Sequence, residues 1–68
     1  MEKEINRWLT PKQLEELYGF SLNWQAKARM ISSNSGLPYS KIGRKFIRYD
    51  RYEIEKWIEN HRVVGYLL

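Results

Sequence analysis

A chain of 68 residues holds one domain, and a domain of this size buries only about 60% of the surface its unfolded form exposes, so its core is thin. The absence of cysteine excludes a disulfide framework and a thiolate metal site, suits a reducing cytoplasm, and leaves ten aromatic residues to staple that core. The net charge of +4 favours an anionic partner only weakly; the short, charge-interrupted apolar runs and the N-terminal MEKEINRW predict neither a membrane span nor a secretion signal.

The expected map is an N-terminal extension over residues 1–7, a folded domain over 8–62 and an apolar tail over 63–68. The segment LTPKQLEELYG, residues 9–19, is dense in helix-start signals. Thr10 is placed to cap, Pro11 suits the first helical position, and Gln13 stands three residues after the cap to close a capping box. Leu9 and Leu14 have hydrophobic-staple spacing, and Gly19 ends the helix. Leu14, Leu17 and Tyr18 form one apolar stripe, and Trp8 is placed to cover the helix's open end.

After Gly19 and Phe20, Ser21 begins a second helix predicted to run through LNWQAKARMI, because Ala, Gln, Lys, Arg and Met are good helix formers. Two helices joined by so short a Gly-containing turn match the helix-turn-helix arrangement, in which the second helix enters a groove of DNA. The corner alone is also common in small domains that bind no nucleic acid. The polar break SSNSG, residues 32–36, reads as a loop. LPYSKIGRKFIRY then reads as two short strands about Gly43-Arg44, with Gly43 at the first central position of a two-residue type II′ turn.

Asp50 opens a third helix, DRYEIEKWIENHR, where Glu53 is placed to complete a capping box and Tyr49 and Ile54 repeat the staple spacing. Ile54, Trp57, Ile58 and His61 share one face, while Glu53, Glu55 and Glu59 make the rest acidic and unsuited to DNA. The tail VVGYLL is apolar enough to fold back on the core or to meet a second copy, and the residues leave both open.

Charge is segregated along the chain. Between Ser21 and Tyr49 lie Lys27, Arg29, Lys41, Arg44, Lys45 and Arg48 with no Asp or Glu, whereas the remaining six bases and eight acids sum to −2. Bases from two elements of one stretch can converge on a face that tracks a phosphate backbone; the plainer reading is a solvated surface, with a hairpin edge blunted against aggregation. The side-chain amides of Asn23 and Gln25 suit paired hydrogen bonds to adenine, and Lys27 and Arg29 suit guanine or phosphate. Trp24 is either core or contact. Catalysis has no converging set to draw on: there is no Cys, one His, and carboxylates that read as helix surface. Neither a metal-ligand spacing nor a glycine-rich phosphate loop is present, so no cofactor is expected, and His61 reads as a residue favoured by the helix C-terminus.

The segment SLNWQAKARM, followed by GLPYSKIGRKFIRY and then EIEKW, resembles the excisionase and AlpA-like helix-turn-helix proteins of phages and prophages over roughly residues 8–60. The most specific piece is LPYSKIGRKFIRY. The resemblance implies an α+β winged helix-turn-helix of three helices, with a two-stranded hairpin between the second and third. It makes Asn23, Trp24 and Lys27 groove-facing and puts Arg44 and Lys45 at the wing tip. Three positions depart from the family: Gln25 stands for an aliphatic core residue, Ala28 for a large one, and Trp24 for a small polar one. Were Trp24, Ala28 and Ile31 to form the buried stripe, Gln25 and Arg29 would turn outward.

The expectation is therefore a double-stranded DNA binder with Asn23, Trp24, Gln25, Lys27, Arg29, Lys41, Arg44, Lys45 and Arg48 as its surface. Residues 21–31 lie in the major groove and hairpin 39–49 on the minor groove. An excisionase would act beside an integrase, an AlpA-like regulator at a promoter, and either could self-associate on DNA. The alternative from another class is a protein-interaction adaptor using the basic hairpin and the tail.

Overall fold

The computed structural model describes residues 7–63. A short strand β1 (Trp8–Leu9) leads into helix α1 (Pro11–Tyr18), a tight turn, helix α2 (Leu22–Ala28), a 3-10 turn (Ile31–Ser33), strands β2 (Ser40–Ile42) and β3 (Phe46–Asp50), and helix α3 (Arg51–Asn60). The strands form one antiparallel sheet in the order β1-β3-β2. The architecture is that of a small α+β winged helix-turn-helix.

Local chemistry sets the first corner. The Thr10 hydroxyl accepts from the Gln13 N–H at 3.0 Å, and the Gln13 side chain accepts from the Thr10 N–H at 3.0 Å, so the predicted capping box is closed. Gly19 takes φ +83° and donates its N–H to the Glu15 carbonyl, ending α1 in a conformation that costs a residue with a Cβ about 1–2 kcal/mol. Ser21 then caps α2 through the Trp24 N–H at 3.1 Å. The first stripe is narrower than expected: Leu14 is fully buried and Tyr18 half-buried, but Leu17 is exposed, because the thin core has no layer beyond Leu14 to cover it. Tyr18 instead donates to Glu55 at 2.6 Å, tying α1 to α3; burial first, and this bond second, push its hydroxyl up to about 12.

Trp8 does not cover the open end of α1. It pairs with Asp50 across β1 and β3 and stays half exposed, while Leu9 pairs with Tyr49 and both are buried. This adds a third strand to the predicted hairpin. The hairpin turn is also one residue longer than expected. Ile42 pairs with Phe46, leaving Gly43, Arg44 and Lys45 as a three-residue turn in which Gly43 still carries a positive φ of 69°.

Helix α2 ends three residues before the predicted Ile31. Met30 is extended, and the hydroxyls of Ser33 and Ser35 both donate to the Ala28 carbonyl, at 2.8 and 2.6 Å, taking the acceptor that a continuing helix would use. Ile31 is almost fully exposed, so the alternative stripe of Trp24, Ala28 and Ile31 does not form; only Ala28 of the three is buried. The loop is tied to the body by Trp57, whose Nε1 donates to the Ser35 carbonyl at 3.0 Å.

The core consists of Leu9, Leu14, Ala28, Leu37, Tyr49 and Ile54, with Tyr18, Phe20, Ile47 and Trp57 packed around it. Asp50 caps α3 by accepting from the Tyr52 N–H at 3.0 Å, and Arg7 grips the same carboxylate through Nε and Nη2 at 3.3 and 3.0 Å. Glu53 does not complete the expected capping box; its carboxylate lies 3.8 Å from Lys56. Ile54 and Trp57 face inward as expected, whereas Ile58 and His61 lie on the exposed rim, where α3 outruns the core. Of the predicted tail, Val63 is exposed, and residues 64–68 lie outside the described residues.

Candidate nucleic-acid interface

Helix α2 is seven residues long, and its inward face is occupied by Gln25 and Ala28. Residues at 100° intervals around the helix then put Asn23, Ala26 and Lys27 on the outward face, and all three are exposed. Trp24 stands on the flank toward α3. It stacks on Phe20 at a ring distance of 4.8 Å and lies 6.3 Å from Trp57, yet 39% of its surface remains open, so it braces the helix without being buried in the core.

Gln25 is the clear correction among the expected contacts. It is fully buried, and its Nε2 donates to the carbonyls of Pro11 and Phe20 at 3.0 and 2.7 Å. A residue expected to read adenine instead latches α2 onto the first turn of α1 and onto the connecting turn. Its buried Oε1 has no hydrogen-bond partner among the described residues. The position where the resemblance implies an aliphatic core residue is thus filled here by an amide that spans the corner.

The opposite flank of α2 faces the hairpin across an open cleft of about 420 Å³. Arg29, Lys41, Arg44 and Lys45 converge on it, with Ala26 and Met30 on the helix side and Tyr39 and Ile47 on the hairpin side. Arg29 is half-buried. Its Nη1 donates to the Tyr49 hydroxyl at 2.5 Å, and its guanidinium lies 6.0 Å from the Tyr39 ring. Burial pushes the Tyr49 hydroxyl up from its ordinary range, against the opposing pull of Arg29, so it stays neutral near pH 7.

Arg48 does not join this group. The pairing Lys41↔Ile47 places those two side chains on the cleft face, and Ser40↔Arg48 places Arg48 on the other. There its guanidinium covers the Phe46 ring at 3.9 Å and donates to the Ile47 carbonyl.

Ion pairing separates the bases into two sets. Arg7, Lys12, Arg51, Lys56 and Arg62 each lie against a carboxylate. Among the described residues, none of Lys27, Arg29, Lys41, Arg44, Lys45 and Arg48 does. An uncompensated basic set gathered around a cleft beside an exposed helix favours a polyanion, because released counterions supply the binding free energy. Ala26, Met30, Tyr39 and Ile47 were missed as lining residues; Ala26 could have been found from its i+3 spacing to Asn23, whereas Ile47 depends on the strand register and the other two on how the loop folds.

The helix-turn-helix domain family matches residues 8–62. The chain belongs to that family. Helix-turn-helix domains are DNA-binding, and they present the second helix of the pair to the major groove. In this helix-turn-helix protein the second helix is α2, and four of the bases without a carboxylate partner among the described residues line the cleft on its flank. No curated protein and no solved structure matches the chain. Among the described residues no group of three His, Cys, Asp or Glu could hold a metal ion, and no helix is long and apolar enough to cross a membrane.

Proposed function

We propose that the protein binds double-stranded DNA sequence-specifically, with α2 in the major groove and the β2–β3 hairpin over the adjacent minor groove. The observation that carries this reading is the segregation of ion pairing: the six central bases have no carboxylate partner among the described residues, and four of them meet beside the exposed helix. On the outward face, Asn23 suits adenine, Lys27 suits guanine or phosphate, and Ala26 suits a thymine methyl. Arg44 and Lys45 at the turn and Lys41 on β2 hold the backbone. Arg48 acts from the other hairpin face as a general electrostatic attractor.

Within that reading, the role is the one implied by the resemblance to excisionase and AlpA-like proteins. The protein would act in the cytoplasm, either beside an integrase to set the direction of recombination or at a promoter as a regulator. The same surface serves both, and the bound site and its company distinguish them.

The test is a fluorescence-anisotropy titration of a random-sequence duplex at two salt concentrations. Wild type is compared with a Lys27→Ala, Arg44→Ala, Lys45→Ala triple variant. With six phosphate contacts, affinity falls about 1,800-fold between 50 and 200 mM salt; with three it falls about 40-fold. Equal slopes for the two proteins overturn the assignment of these residues. No binding by folded wild type at low salt overturns the DNA reading and leaves the hairpin to an acidic protein partner.

A further inference from the structure

The cleft between α2 and the hairpin is built differently from the rest of the basic surface. Lys41, Arg44 and Lys45 are exposed, and their flexible stems let them follow a backbone without fixing it. Arg29 is half-buried at the end of α2 and is held from below by the hydroxyl of Tyr49, a residue with no exposed surface. Tyr49 is itself fixed by pairing with Leu9 in the sheet and by its place in the core. A guanidinium offers five N–H donors in a rigid fork. The Tyr49 bond occupies one edge of it, no carboxylate among the described residues takes the others, and the group lines the open cleft.

From this we infer that the cleft seats one backbone phosphate of duplex DNA. Arg29 is the phosphate-binding residue, and Tyr49 is a positioning residue that acts through it. The inference rests on the DNA reading above and goes beyond it in two respects. It takes Arg29 away from base readout, and it gives the core hydroxyl of Tyr49 a task in binding. The seat lies where the helix that reads bases and the hairpin that follows the next groove are joined. A phosphate held there sets the register of α2 against the duplex. A base edge is a poorer fit for Arg29, because the Tyr49 bond keeps the guanidinium on the hairpin side of α2, away from the face that carries Asn23 and Lys27.

The experiment uses the full chain and a random-sequence duplex of about 20 base pairs, so that sequence readout contributes nothing and phosphate contacts dominate. Wild type, Arg29→Gln, Tyr49→Phe and the double variant are titrated from 50 to 200 mM salt, each first checked for a cooperative urea transition. Arg29→Gln is expected to lower the salt slope by about 0.9, so that it loses about threefold less affinity than wild type over that range. Tyr49→Phe is expected to weaken binding severalfold, and the double variant to bind no more weakly than Arg29→Gln alone. That non-additivity is the readout that a purely structural role for Tyr49 would not produce.

An unchanged slope for Arg29→Gln, with the hairpin and Lys27 triple variant still flattened, overturns the phosphate seat and leaves the DNA reading standing. Additive losses in the double variant overturn the positioning role of Tyr49. If Tyr49→Phe does not fold, Arg29→Gln alone still decides the seat. Failure of wild type to bind at low salt overturns the reading on which the seat rests.

Discussion

Replacing Gln25 separates a buried latch from a base-reading contact. Its side chain has no exposed surface and makes two hydrogen bonds to carbonyls, while its Oε1 has no partner among the described residues. Gln25→Ala removes both bonds, worth about 0.5–1.5 kcal/mol each, and leaves a cavity; relief of the unpartnered oxygen offsets part of this. The net cost is about 2–3 kcal/mol. In a domain this small, that lowers Tm by roughly 10–20 °C. Gln25→Leu fills the space with one heavy atom fewer, loses the same two bonds and removes the buried acceptor, so the opposing contributions nearly cancel to within about 1 kcal/mol.

Urea and thermal denaturation followed by circular dichroism measure both variants. A Gln25→Ala variant within about 0.5 kcal/mol of wild type, or a Leu variant less stable than the Ala one, would refute the latch. Duplex binding supplies the second reading. An amide that paired with adenine would cost about 1–3 kcal/mol of discrimination on removal, a loss of roughly 5- to 150-fold at the preferred site. The buried geometry instead predicts that Gln25→Leu binds within about threefold of wild type where both are folded.

Two further predictions concern the frame that holds the hairpin and α3. The Arg7 hydrogen bonds, followed by backbone donors at the start of α3, hold the Asp50 carboxyl below its usual range. Its folded value lies below its unfolded one, so its contribution is full above about pH 4 and is lost as pH falls through the folded value. Asp50→Ala should cost about 1 kcal/mol at pH 7 through the lost cap, and Asp50→Asn, which can still cap, should approach wild type in urea titrations as pH falls through the folded value. An Asn variant whose deficit is the same at pH 7 and at pH 2 would show that the charge contributes nothing. Gly43 has φ +69° with open space where a Cβ would stand, so Gly43→Ala should cost about 1 kcal/mol from backbone conformation alone. Gly43→Asn should cost less, because Asn tolerates that region, and equal transition midpoints for the two variants would rule out backbone strain as the cause.

The parts of the fold legible in the sequence are those decided within a few residues. Thr10 with Gln13, Pro11, Gly19, Ser21 and Asp50 mark helix ends through side-chain or backbone chemistry that acts over one turn, and each stands at the end it was read to mark. What was not legible depends on partners distant in sequence or on competition that propensity does not register. Trp8 and Leu9 carry no strand pattern, and they become a strand only because β3 presents a free edge beside them. The stretch after Ala28 has helix-forming Arg and Met, but two serine hydroxyls capture the Ala28 carbonyl first. Gln25 reads as surface because a buried amide is uncommon, and its two acceptors lie on α1 and the turn. In the site, the sign and clustering of charge were legible along the chain. The division of Arg48 from Lys41 followed only once the strand register was known.

The length of α2 limits what one copy can recognise. Seven helical residues span about 10 Å, which is roughly three base pairs at 3.4 Å each. On the proposed reading, with Gln25 and Ala28 turned inward, Trp24 braced on Phe20 and Arg29 tied to Tyr49, the positions left for base edges are Asn23, Ala26 and Lys27. Three base pairs recur about once in 64 positions, whereas a genome offers on the order of a million or more competing sites. No gain in affinity at this helix alters that ratio, because tighter contacts with three base pairs strengthen every copy of the same triplet. On the proposed reading, selectivity for one locus therefore has to arise outside α2: from DNA whose shape accepts the hairpin, from several copies on adjacent sites, or from a partner that binds beside them. The rigid cleft suits that division of labour, because a phosphate contact fixes how each copy sits on the duplex and so fixes where its neighbour can be.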